Sequence, residues 1–544
     1  MAATRRQLIG AGIAGAGALA FGPGFWRTAL AARRRAAQST YGALQPADAN
    51  GLMLPPEFRS RLVARANQPV AGYPWHIFSD GQATFATDDG GWILVSNSES
   101  LAAVGAGSSA IRFAPGGEIE AAYRILGGTN ANCAGGSTPW GTWLSCEEFD
   151  SGHVWECDPR RPGQGTIRPA LGSFSHEAVA VEPDGGRLYM TEDRGDGGLY
   201  RFTPAGYGDL TAGVLEVMVA RDGGVGWAQV PDPAAISGPT RGQVADMRRF
   251  NGGEGIWFDS GVVYFSTKGD NRIWAYDTGA GTLGTVYDRA TAGPDAPLSG
   301  VDNLTVSRAG EIFVCEDGGD MEICVIEPDG TVAPFLRLVG EAAEGLPGSG
   351  NELAGVVFAP GGNRLYFAAQ RAYGYGAVYE VTGPFRPAAP GSPPVSEPPG
   401  GQSPPSGGSS PSPRGSPTKL GGQGSVVGLR LDVPSHVSVA GLRGRGLAVD
   451  VELGRPAMLI AALRTDELRR VDGKRGSTAR PLTVTLDRRS GRVRRAGRQR
   501  LRLRLSAAEG RRLRRARPLR VWVTVLSRDT DGVTHVATQR VRVR

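Results

Sequence analysis

The most constraining feature of the chain is a repeated unit of an alternating apolar strand, a turn, and a second apolar strand ending in acids. Its clearest copies run from Val179 to Asp193 (VAVEPDGGRLYMTED), Leu304 to Asp317 (LTVSRAGEIFVCED) and Val356 to Gln370 (VVFAPGGNRLYFAAQ). Thr84 to Glu99 and Ile256 to Asp270 follow the same plan less closely. A third apolar run follows several copies, as at Gly198 to Phe202, Arg272 to Tyr276, Glu322 to Ile326 and Ala377 to Val381. Strands with a period of two residues, recurring in blocks about every 50 residues, are the pattern of propeller blades. With the unit around Trp143, the spacing predicts an all-β chain whose main part is a six-bladed β-propeller. The 82 glycines and 38 prolines suit such a turn-dense fold better than a helical one.

An acid stands just before the first strand of unit after unit: Glu177, Glu254, Asp302 and Glu352. The first strand of a blade lines the central channel, so these acids should converge at one mouth of it. Carboxylates gathered in one place repel each other, and a bound cation is the usual compensation. The acids that end second strands, Glu192 with Asp193 and Glu316 with Asp317, fit either that site or solvated turns.

The stretch Asn132 to Glu148 (NCAGGSTPWGTWLSCEE) adds a thiol, Cys133, on a Gly-rich loop, and an acid pair, Glu147 and Glu148, at the end of a strand. A thiolate selects a soft or borderline transition metal, whereas carboxylates suit calcium, magnesium or ferric iron, so the donor set can hold both kinds. Five cysteines leave one over if Cys146 pairs with Cys157 and Cys315 with Cys324 across hairpins. Buried free thiols are the alternative for those four.

Outside the repeats, residues 1–32 carry Arg5-Arg6 ahead of a weakly hydrophobic Gly/Ala run and read as a twin-arginine export signal. Residues 33–82 read as an irregular lead-in, 83–383 as the propeller, and 384–425 as a flexible Pro/Gly/Ser linker. Residues 426–544 return to alternating strands and predict a small β-sandwich. That tail is basic: residues 427–544 hold 29 Lys and Arg against 10 Asp and Glu, a net of +19, while residues 1–426 hold 31 against 43, a net of −12. The acidic front part suits cations, and the basic tail suits cell-wall polymers, nucleic acid or an acidic membrane surface, with envelope contact as the expectation. No nucleic acid is required by this reading.

Five segments, NCAGGSTPWGTWLSCEE, SHEAVAVEPDGGRLYMTED, GEGIWFDSGVVYFSTKGDNRIWAYD, LSGVDNLTVSRAGEIFVCEDGGDMEICVI and ELAGVVFAPGGNRLYFAAQR, together resemble the PhoX-type alkaline phosphatases, over residues 41 to 385. The resemblance implies a six-bladed propeller, exported by the twin-arginine route, that hydrolyses phosphomonoesters with a cluster of two iron (Fe3+) and three calcium ions near one end of the channel; a monomer is expected. It implies that Cys133 matches a thiolate iron ligand, that Glu177, Glu254 and Asp302 match acids of the cluster, and that Glu147 and Glu148 match an acid pair. Glu352 joins the expected metal set; His176, beside Glu177, and Arg371, after the last motif, are the candidate catalytic residues. The chain departs from the family in two places: Gly252-Gly253 stands where an Arg-Pro is expected before the acid, and Phe149 where an Asn is expected. Both positions are expected to contact substrate phosphate. Two other readings remain open, a calcium-dependent lactonase or esterase propeller and a non-catalytic metal-binding envelope protein.

Overall fold

The computed structural model describes residues 39–388 and 429–543, apart from 164, 294, 346–349, 435, 455, 471–478, 506–519 and 530–533. The expected export signal, and nearly all of the expected linker, lie outside these residues. The chain divides into two compact units between residues 399 and 400.

The first unit is a ring of six antiparallel sheets. Their innermost strands are Ser79–Ala86, Asn132–Ser137, His176–Val181, Gly253–Asp259, Val301–Val306 and Leu353–Phe358, and each packs on the next, the last on the first. The ring is therefore closed, which removes the free sheet edges that an open array would expose. Its apolar residues meet between blades, as Leu144, Val179 and Met190 do, or Ile273, Ala275 and Val314.

Closure uses residues from the stretch expected to be an irregular lead-in, 33–82. Arg59–Arg65 pairs antiparallel with Ala377–Thr382 and completes the sixth blade, and Leu52–Met53 pairs with Arg337 and Leu338 at the edge of the fifth. The first blade starts at Ser79, four residues ahead of the expected boundary. Tyr41, Phe58, Phe313, Phe335 and Phe385 pin this seam edge to face, with Phe58 centred 5.1 Å from Phe335 and 4.9 Å from Phe385. Removing a ring from such a buried cluster leaves a cavity. Phe58→Ala is expected to cost about 3–5 kcal/mol, read as a lower midpoint in chemical denaturation of the full chain, and a loss below ~1 kcal/mol would show that the seam does not hold the ring shut.

All five cysteines are free. The expected pairs fail on register: Cys146 faces Val154 and Cys157 faces Trp143, while Cys315 faces Ile323 and Cys324 faces Val314. Neighbouring residues on a strand point to opposite faces, so Cys315 and Cys324 are sent into different inter-blade cores.

The second unit holds two sheets, Leu429–Asp432 with Leu447–Leu453 and Gly497–Leu503, and a larger one built on Ala457–Arg470, Ala479–Val493, Arg520–Asp529 and Thr534–Val543. Leu447, Val449, Val451, Leu459, Leu463, Val521, Val523 and Val525 form one core shared by the two sheets, as a sandwich requires. Among the described residues no helix is long and apolar enough to cross a membrane.

Candidate metal centre

Five of the six inner strands carry the same irregularity at their start. In each, two residues of the inner strand face one residue of the second strand: Asp80-Gly81, Cys133-Ala134, Glu177-Ala178, Glu254-Gly255 and Asp302-Asn303. Such a bulge re-aims the side chain at its first position. The sixth blade has the bulge as well, but with Gly355-Val356.

In the first four blades the second bulge position is small, Gly81, Ala134, Ala178 and Gly255, because neighbouring inner strands touch there. A Cβ on Gly81 would collide with Ala134, and one on Gly255 with Asn303. The single opposing residue often ties one blade to the next: Asn97 Nδ2 donates to the Ala134 carbonyl at 2.8 Å, Thr191 Oγ1 to Glu254 O and Ser266 Oγ to Asp302 O, both at 2.5 Å. The same position in two other blades is held by Cys146 and Cys315, which explains why those thiols are buried between blades rather than bridged.

A second set of side chains follows where the second strands end: Glu99, Glu148, Asp193, Lys268 and Asp317 each stand one residue past the rung that precedes the bulge. The two sets converge in three groups of donors whose atoms lie within 4.8 Å of one another. These are Cys133 with Glu148 and Glu177; Glu177 with Glu254 and Asp302; and Asp80 with Glu99 and Glu352. Glu177 belongs to two groups and joins the sulfur to the carboxylates, its Oε1 3.4 Å from Cys133 Sγ.

Of the predicted metal residues, Cys133, Glu148, Glu177, Glu254, Asp302 and Glu352 are thus gathered at one mouth of the channel. Glu147 is not: its carboxylate turns back to accept from the backbone of Asn130 at 2.9 Å and of His153 at 3.3 Å. His176, expected as a catalytic residue, is placed apart too. Because Glu177 faces the axis, its neighbour faces the blade interior, where the imidazole stacks on Phe174 at 3.6 Å and Nε2 lies 3.2 Å from Gly172 O. Burial drives its pKa down to about 3, so it stays neutral. Arg371 does reach the mouth, with Nη1 2.9 Å from Glu352 and Nη2 3.7 Å from Glu99.

The second-strand acids divide by the same alternation. Glu192 points inward to Arg241 at 2.9 Å and the Tyr200 hydroxyl at 2.9 Å, and Glu316 accepts from Ser299 N at 2.7 Å. Glu316 also stands near Glu322 and Cys324, but Glu322 is held by Arg337 Nε at 2.8 Å. Asp193 and Asp317, one residue on, belong to the mouth. The sequence reading missed Asp80, Glu99 and Lys268. Asp80 obeys the rule used for the other blades, and starting the first unit at Ser79 would have found it.

The buried carboxylates raise one another's pKa, as crowded acids do. Burial, then the neighbouring carboxylates Glu148, Asp302 and Asp80, hold Glu177 well above the usual carboxylate range. Asp80 is pushed up to about 7 by burial and Glu99, and burial lifts Asp302 to about 8 against the pull of Lys268. The Cys133 thiol is raised by burial and by Asp80 and Glu177. Lys268 offsets part of this: its Nζ is 2.8 Å from Glu254 Oε1 and 3.2 Å from Asp317 Oδ2, and it holds Asp317 below the usual range despite burial.

The residues present fit a mixed metal cluster. Glu177 Oε2 is buried with no hydrogen-bond partner, a state that costs free energy unless a cation meets it. The donors combine one soft sulfur with hard oxygens.

Fold and site together define a six-bladed propeller with a sulfur and carboxylate centre on its axis. Residues 90–282 match the family model of the alkaline phosphatase PhoX, and across them the resemblance carried by the sequence motifs stands. The chain is similar in structure to Pseudomonas fluorescens PhoX in complex with vanadate, a transition state analogue, at 17% identity and a TM-score of 0.50, over 62% of this chain and 97% of that one. It is less similar to a luciferin-regenerating enzyme, at 13% identity, a TM-score of 0.32 and coverage of 57% and 92%. A Bacteroides thetaiotaomicron protein of unknown function matches at 11% identity, a TM-score of 0.38 and coverage of 60% and 76%. These likenesses concern the fold. No curated protein matches the chain.

Proposed function

We propose that the chain is an exported metal-dependent phosphatase that hydrolyses phosphomonoesters at the mouth of its channel, with iron and calcium as cofactors. The observation that carries this reading is the meeting of Cys133 with Glu148 and Glu177 inside a larger ring of carboxylates. The sulfur favours a transition metal at that side, and Glu177, Glu254 and Asp302 offer oxygen-only ligation suited to calcium or ferric iron. When bound, such metals supply Lewis acidity toward phosphate oxygens and lower the pKa of water.

The chain's own groups do the rest. Glu177 spans the two donor groups and sets the distance between whatever they hold. Arg371, ion-paired to Glu352, and Arg194, 4.0 Å from Glu148, bring guanidinium groups to the rim, where they can orient a phosphate dianion in bidentate fashion. These stand in for the cation expected at Gly252-Gly253. His176 has no part in proton transfer, being buried, neutral and turned into the blade.

A single-ion calcium site, as a lactonase-type propeller would need, gains little from a sulfur donor, so Cys133 favours the phosphatase reading. Export by the twin-arginine route, a monomeric state and envelope contact through the basic C-terminal unit complete the proposal. The test is hydrolysis of a chromogenic phosphomonoester by the purified full chain, with elemental analysis of the same sample. Activity that is lost on chelation, with iron and calcium both present beforehand, supports the reading. Bound metals without hydrolysis would instead favour a non-catalytic metal protein.

A further inference from the structure

The five side chains that follow the second strands of blades one to five are Glu99, Glu148, Asp193, Lys268 and Asp317. Four are acids and one is a base at an equivalent backbone position. Lys268 is anchored there by its own backbone, whose N–H donates to Gly252 O at 2.8 Å. Its ammonium sits between an acid of the inner set and one of the outer set, 2.8 Å from Glu254 and 3.2 Å from Asp317.

We propose that Lys268 is a built-in cation of the metal centre, filling the place that a divalent ion would otherwise take between Glu254 and Asp317. An ammonium is a compact point charge that can bridge two carboxylates as calcium does, though at longer range than calcium's roughly 2.3–2.6 Å. It neutralises one charge where calcium would neutralise two, and it cannot be lost to a chelator. The centre is therefore divided. Around Cys133, Glu148 and Glu177 no lysine makes an ion pair among the described residues: Lys268 reaches Glu148 only through its field, and Arg194 touches the edge at 4.0 Å. Around Glu254 and Asp317 the charge is already met by the chain itself. Lys268 thus limits how many hard ions the centre takes and steers them toward the sulfur side. This inference rests on reading the mouth of the channel as a metal centre.

The experiment counts bound calcium per chain by equilibrium dialysis and elemental analysis, without substrate, for the full wild-type chain, Lys268→Glu and Lys268→Met. Lys268→Glu restores an acid at the odd position and should bind one more calcium ion than wild type. Lys268→Met keeps the length and removes the charge, and should tighten the weakest calcium site by roughly tenfold or more. Both variants should also show a larger calcium-induced rise in melting temperature. Unchanged stoichiometry and affinity in both variants would overturn the inference while leaving the centre intact. Unchanged calcium with lost phosphate hydrolysis would overturn it as well and make Lys268 a substrate contact. A wild-type chain that binds no metal under any condition would remove the centre itself, which is a different failure.

Discussion

Replacing Cys133 with alanine is expected to strip the transition metal from the protein and to lower phosphomonoester hydrolysis by roughly 100-fold or more, beyond the loss caused by changing a residue that only supports a ligand. Cys133 is the one sulfur that faces the axis. The other four thiols are buried between blades or within them and are not placed among the mouth donors. Once it is gone, Glu148 and Glu177 remain as an oxygen pair that suits calcium better than iron. The variant should therefore keep its β-sheet signal and its calcium while its iron content falls toward zero. Cys133 sits on a bulge beside Ala134, a position already small, so the truncation has little packing to disturb. Iron retained at the wild-type level would refute the assignment of the sulfur, whatever happened to activity.

The second large effect concerns pH and metal removal together. Asp80 and Asp302 have folded-state pKa values raised to about 7 and about 8, above the ordinary value of an unfolded aspartate. Between these limits the folded, metal-free chain binds more protons than the unfolded one. Its stability is thus fully present below about pH 4 and is lost as pH rises through 7 and 8. Two such groups contribute on the order of 3 kcal/mol of lost stability between pH 5 and pH 8, allowing for their coupling to each other and to Lys268. The chelated protein should melt several degrees lower at pH 8 than at pH 5. Metals added back should flatten the slope, because the carboxylates then exchange protons for cations. A chelated protein whose melting temperature does not change with pH would show that the acids are not held together in the folded state as the structure places them.

The two effects can be separated. Loss of the sulfur removes one metal and leaves the carboxylate ring, so Cys133→Ala should keep the pH slope after chelation. Glu177→Gln, by contrast, touches two donor groups at once and should weaken binding on both sides of the centre, which dialysis with each metal alone can resolve.

Much of this was legible in the residues. Short, largely apolar strands separated by turn dipeptides announced the blades, because a strand packed between two neighbouring sheets is buried on both faces. An acid ahead of each first strand announced the site, because backbone topology sends every first strand to the axis. Of the seven expected metal residues, Glu177, Glu254, Asp302 and Glu352 reach the mouth for that reason, and Cys133 and Glu148 join them there. Of the two expected catalytic residues, Arg371 is there and His176 is not.

What composition and order could not reveal is where a bulge flips the direction of a side chain. One extra residue in the inner strand decides that Glu177 faces the axis while His176 is sealed against Phe174, and that Glu148 rather than Glu147 joins the sulfur. The cysteine pairs failed for a similar cause, since proximity along a hairpin says nothing about which face each residue takes. The closing strand Arg59–Arg65, short and charged, carries no strand signal of its own and becomes one only because the sixth blade offers it an edge. By itself the sequence determined that the chain would form blades and gather acids around an axis, since both follow from periods that local sterics and burial enforce. Which acids look at one another, which are paired off inside a blade, and that a lysine stands among them emerge with the folded arrangement of the blades. Those outcomes depend on register and on contacts between residues far apart in the chain.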